Sequence, residues 1–117
     1  MFGEYFKKLR NDKEFTQRQV AEVIGKTPMY VSLVEQGKNN PFREKDLAEI
    51  AKLFMLSNDE RRRLYSEASR TSGKMPKYLF DYILQHENSF RLIEVLAENE
   101  ADNAFIDQII KQVEEKR

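Results

Sequence analysis

The chain has 117 residues, 40% apolar and 34% charged, proportions that suit a folded helical protein and are too hydrophobic for a disordered polymer. It has no cysteine, which removes disulfides, thiolate zinc sites and cysteine nucleophiles. Its longest apolar run, Leu53-Phe54-Met55-Leu56, is far too short for a signal-peptide core or a bilayer span, so a cytoplasmic chain with no membrane partner is expected. The formal net charge is zero, but it is unevenly distributed. Residues 1–74 carry 15 Lys+Arg and 11 Asp+Glu, a net of +4, whereas residues 75–117 carry 5 and 9, a net of −4. A basic front and an acidic back are expected when one part of a chain meets phosphate and the other does not.

Apolar residues recur at helical spacing along almost the whole chain, and no segment alternates as a strand does. Phe2, Phe6 and Leu9 form the inner face of a first helix, with Lys7, Lys8 and Arg10 nearer solvent. Thr16-Gln17-Arg18-Gln19 is a capping box, so a second helix begins at Gln17. Gly25 closes it after Ile24, Thr27 caps a third helix with Pro28 at its first position, and Gly37 stops that helix. After a polar loop from Lys38 to Phe42, Leu47, Ile50, Ala51 and Phe54 mark a fourth helix. Ser57-Asn58-Asp59-Glu60 caps a fifth, buried along Leu64 and Ala68, whose Arg61-Arg62-Arg63 run reads as a solvated face. Thr71 to Pro76 is punctuated like a linker. Three short helical patterns follow, at about 77–85, at about 89–97 capped by Asn88, and at about 103–115 capped by Asp102.

The most specific pattern lies across the second and third helices. Two helices joined at a steep angle by a short turn need small residues where their backbones approach, a tight turn and inward apolar positions on both. Ala21 is the small residue, Gly25 makes the turn, and Val20, Ile24, Val31 and Val34 face inward.

Leu9-Arg10, Thr16-Gln17, Gly25-Lys26-Thr27, Val31-Ser32, Glu35-Gln36-Gly37-Lys38 and Leu47 to Phe54 together resemble the Cro and phage-repressor (XRE) helix-turn-helix family over about residues 2–70. The resemblance implies an all-α fold: a five-helix repressor-like helix-turn-helix domain over 1–72, then a short C-terminal helical module over 75–117. It implies a third helix, about 28–36, in the DNA major groove, and commonly a two-fold homodimer on a pseudo-palindromic operator. On that basis Gln17 grips a phosphate beside Arg18 and Lys26, and Thr27 with Lys38, Asn39 and Asn40 holds the flanking backbone. Pro28, Met29, Ser32 and Leu33, with Tyr30 at the edge, face the bases, and Arg43 lies over the minor groove near the dimer axis. Arg10 and Glu35 form an ion pair between helices. Met29 and Leu33 depart from the commoner pattern of Arg, Lys or Gln at such sites, because they offer a thymine methyl apolar contact but no bidentate hydrogen bond.

No catalytic constellation accompanies this. His86 is the lone histidine, Glu98, Glu100 and Asp102 crowd a turn, and neither a phosphate-cradling glycine loop nor metal-ligand spacing is present, so no enzyme activity, cofactor or metal is expected. The function expected is a DNA-binding transcriptional regulator, a repressor acting by promoter occupancy. The alternative is an antitoxin or anti-regulator on the same fold, with a protein partner at the C-terminal helices. The dense apolar set of residues 75–117 marks that segment as a dimerisation module.

Overall fold

A computed structural model describes residues 1–116, and among them every regular element is an α-helix. The helices are α1 (Phe2–Asp12), α2 (Gln17–Ile24), α3 (Pro28–Glu35), α4 (Glu44–Leu53), α5 (Asn58–Ser72), α6 (Lys77–Gln85), α7 (Glu87–Glu98) and α8 (Asn103–Glu115). They fall into two units, Met1–Lys77 and Tyr78–Arg117.

In the first unit local chemistry sets the helix ends. Both capping boxes form: Thr16 Oγ1 accepts from the Gln19 amide at 3.1 Å while Gln19 Oε1 accepts from the Thr16 amide at 2.9 Å, and Ser57 and Glu60 repeat the exchange. Gly25 closes α2 at φ 67°, in the left-handed region that costs glycine little. The fifth helix runs further than its sequence suggests. Thr71 and Ser72 lie inside α5, and Thr71 Oγ1 accepts from the Phe2 amide at 3.0 Å, satisfying a free N–H at the start of α1.

The core is aromatic. Phe6, fully buried, lies 4.8 Å centroid to centroid from Phe42, 5.7 Å from Phe2 and 5.9 Å from Phe54, and Phe15 stacks on Phe54 at 5.0 Å. Val20, Val31, Val34, Leu47, Ile50 and Leu64 fill the space around them, while Ile24 is only half-buried. Helix α1 packs on α3 and α5, and α2 on α3 and α4. The crossing of α1 over the end of α3 is so close that a Cβ on Gly3 would run into the Glu35 carbonyl and stand 2.6 Å from that of Val34.

In the second unit α6 and α8 have the bounds their sequence predicts, and Asp102 caps α8 by accepting from the Phe105 amide at 2.9 Å. Helix α7 starts two residues earlier than expected. His86 is its N-cap and makes no side-chain cap bond, because its ring stacks on Tyr82 at 4.0 Å and its Nδ1 lies 2.9 Å from the Tyr82 carbonyl. None of the described residues of this unit is buried. No described helix is long and apolar enough to cross a membrane.

Candidate nucleic-acid interface

Helices α2 and α3 are joined by Gly25-Lys26-Thr27. The Lys26 amide donates to the Ala21 carbonyl at 2.9 Å, which folds the chain back sharply, and Ala21 is buried where the two helices meet. Thr27 Oγ1 accepts from the Tyr30 amide at 3.1 Å, and Pro28 occupies the first helical position. With Val31 and Val34 turned inward, Pro28 and Met29 are exposed, and Ser32 and Leu33 are half-buried beside them.

The far end of α3 is held by one guanidinium. Arg10 Nε donates to Glu35 Oε2 at 2.7 Å and Nη2 to Oε1 at 3.0 Å, a bidentate pair with side chains only 9% and 2% exposed. The third nitrogen, Nη1, donates to the Phe15 carbonyl at 2.9 Å and to Asn11 Oδ1 at 3.2 Å. Gln17 joins the same cluster, donating from Nε2 to Glu35 Oε1 at 3.1 Å. The end of α1, the turn before α2 and the end of α3 are therefore fixed on a single pair of charges. Beyond it Gly37 turns at φ 78°, and the amides of Lys38 and Asn39 donate to the Leu33 carbonyl at 2.9 and 3.3 Å. Those two N–H groups are occupied by the protein, so at these residues only the side chains are free for an external ligand.

The expected contact residues occupy three neighbourhoods. Gln17, Arg18 and Pro28 line one shallow hollow with Thr16 and Phe15. Lys38, Asn39 and Asn40 border a second with Met1 and Gly3. Tyr30, Asn39, Asn40 and Arg43 line a cleft of about 680 Å³ that Tyr65 and Lys74, not anticipated from sequence, complete. Tyr30 is half-buried, its ring 6.0 Å from Phe42, with Lys26 Nζ 5.6 Å above it. Ser32 Oγ accepts from Gln36 Nε2 at 2.8 Å, and both Ser32 and Thr27 keep a hydroxyl proton to donate.

The cations of α5 differ from those around α2 and α3. Arg62 pairs with Asp59, Arg70 with Glu67, and Arg61 and Arg63 lie over the rings of Tyr65 and Tyr5, so the charges on α5 are committed to their own surroundings. Arg18, Lys26, Lys38 and Arg43, around α2 and α3, are exposed and pair with no carboxylate among the described residues. Unpaired cations around an exposed helix form a surface suited to polyanions. Among the described residues no group of side chains could hold a metal ion.

Residues 1–64, from α1 into the first half of α5, match the family described as helix-turn-helix domain. No curated protein and no solved structure matches the chain. The family match covers more than half of the sequence and includes the α2–turn–α3 geometry, with its buried Ala21 and left-handed Gly25. The chain belongs to the helix-turn-helix domain family, and its first unit is an all-helical domain of this DNA-binding type.

Proposed function

We propose that the chain is a sequence-specific transcriptional regulator of the Cro and phage-repressor (XRE) kind, a repressor that occupies its operator with α3 in the major groove. The observation that carries this reading is the charge contrast: Arg18, Lys38 and Arg43 have neither a carboxylate nor a ring partner among the described residues, and Lys26 has only the Tyr30 ring, while the arginines of α5 are engaged by carboxylates or rings. Lys38, Asn39 and Thr27 hold phosphates on either side of the helix, with the Thr27 hydroxyl donating. Gln17, one N–H already given to Glu35, offers its second to the backbone. Ser32, already accepting from Gln36, donates to an acceptor on a base edge, while Met29 and Leu33 touch thymine methyls. Arg43 reads minor-groove width rather than bases. The regulator is a homodimer through residues 75–117, so its operator is pseudo-palindromic with half-sites about 34 Å apart.

One observation favours a second reading. Met29 is 71% exposed at the centre of the proposed readout face, where an antitoxin or anti-regulator would place an apolar protein contact. Anisotropy titration against a randomised duplex pool at two salt concentrations separates the two. Binding that weakens with salt, with Lys38→Ala reducing affinity for all sequences alike and lowering the salt slope by about one, supports the DNA reading. Changes at Ser32 or Leu33 should alter sequence preference instead. Absence of duplex binding at both salt concentrations would leave the protein-binding reading in place.

A further inference from the structure

We propose that residues 78–116 acquire their fold only by packing with a second copy of this chain, so that association and folding of this unit are one event; this rests on the homodimer reading above. The argument begins with α6. Its polar residues Lys77, Asp81 and Gln85 fall four apart and cover about 80° of the helix circumference, and the other six positions are Tyr78, Leu79, Phe80, Tyr82, Ile83 and Leu84. A helix apolar on nearly every side belongs in the interior of a core. Yet no residue of α6, α7 or α8 is buried. Helices of 9, 12 and 13 residues are at or below the length that holds in water without packing.

Units of about this size are usually completed by disulfides, metals or oligomerisation. The chain has no cysteine, and among the described residues no side-chain group could hold a metal. The exposed large apolar residues of the first unit, Met1, Val23, Met29, Met55 and Met75, come from five separate segments. Oligomerisation remains. Twelve large apolar side chains of the second unit are each 42–62% exposed. Together they present on the order of 1,000 Å² of apolar surface, in the range that one partner buries in a stable dimer. A second copy covers the same surface with the same surface, as two-fold symmetry requires, with α6 and its mate at the centre of a six-helix core. A regulator built this way has a helix-turn-helix unit that is always folded and a dimerisation unit that appears only above its association threshold. Operator affinity then rises steeply with the protein's own concentration.

The test uses the full chain in a dilution series, following mass by light scattering or sedimentation and helicity by far-UV circular dichroism. Residues of α6–α8 are about two-fifths of all helical residues, so helicity should fall by about that fraction as the mass halves. If the dimer withstands every accessible dilution, Phe80→Glu places a charge on the apolar side of α6. This variant should be monomeric and equally depleted in helix, while the cooperative thermal transition of the first unit persists. A monomer, by dilution or substitution, that keeps full helicity overturns the proposal and leaves the dimer reading intact. A Phe80→Glu dimer that lacks the helicity of α6–α8 overturns it as well, because the copies would then associate without folding this unit. Wild-type protein that is monomeric at every concentration overturns both.

Discussion

The two units use the same kinds of residue to opposite ends. In Met1–Lys77 the aromatic side chains meet one another inside, with Phe2, Phe6, Phe42 and Phe54 almost wholly removed from water. In Tyr78–Arg117 the aromatics Tyr78, Phe80, Tyr82, Phe90 and Phe105 are each half or more exposed. Helical periodicity is equally clear in both. Amphipathicity therefore fixes which face of a helix is apolar without fixing what covers it.

The contrast is sharpest where one substitution is made in both units. Phe6→Ala removes a fully buried ring and should cost about 3–5 kcal/mol in denaturant unfolding of the first unit. Phe80→Ala, at a position 52% exposed, should change the unfolding of that unit by less than about 0.5 kcal/mol, its effect appearing in the association constant. Equal losses from the two would erase the distinction between a unit with its own core and one without.

Within the first unit the charged cluster is next in consequence. Glu35→Ala leaves the Arg10 guanidinium buried without its carboxylate and takes away the partner of Gln17, which typically costs about 3–5 kcal/mol for a buried pair. Replacing both, Arg10→Met with Glu35→Leu, removes the stranded charge and should recover part of the loss in melting temperature. An unmoved melting temperature for Glu35→Ala would mean that the pair is not buried in solution. Gly3→Ala should follow at about 1–3 kcal/mol, because the added methyl meets the rigid backbone carbonyls of Val34 and Glu35 at the end of α3. If the variant unfolds at the wild-type denaturant concentration, α1 does not approach α3 as closely as described.

How much of this was legible in the sequence depended on how far apart the interacting residues lie. Capping boxes at Thr16 and Ser57, the left-handed Gly25, Pro28 at the start of α3 and Asp102 before α8 are signals within four residues, and each helix end appears where its signal stands. The need for glycine at position 3 arises from a carbonyl 32 residues away, and nothing near Gly3 announces it. Thr71 has the composition of a linker residue, but its hydroxyl serves the Phe2 amide 69 residues earlier, so α5 continues through it. The Arg10–Glu35 pair was visible only through a family resemblance, and the Gln17 bond to Glu35 was not visible at all. The start of α7 was misplaced because His86 stacks on Tyr82, an interaction that cap preferences do not encode. For the candidate nucleic-acid face, helical register was enough to place Pro28 and Met29 outward and Val31 and Val34 inward. That Arg18, Lys26, Lys38 and Arg43 meet no carboxylate among the described residues depends on how the fold places the acidic side chains, and that required the structure.

The smallest effect expected lies where α1 meets α5. Glu60 Oε2 pairs with Lys13 Nζ at 2.8 Å, and its Oε1 accepts from the Ser57 amide at 2.9 Å. The hydrogen bond from Lys13, and after it that from the Ser57 amide, holds the Glu60 carboxyl below its ordinary value of 4.5. A carboxyl whose folded value is lowered binds its proton more readily in the unfolded chain. Its contribution to stability is therefore complete above the unfolded value and disappears as the pH falls through the folded one. Glu60→Gln keeps an oxygen for the Ser57 amide and removes the charge that Lys13 meets. The variant should melt slightly below the wild type at neutral pH, and the difference should close as the pH falls below 4.5 and through the lowered folded value, where the native carboxyl also becomes neutral. Added salt should narrow the gap at neutral pH, because the pair is partly exposed and screened. A gap that stays constant from neutral pH into the acid range where Glu60 is protonated would assign the effect to the geometry of the capping box and not to the charge on Glu60.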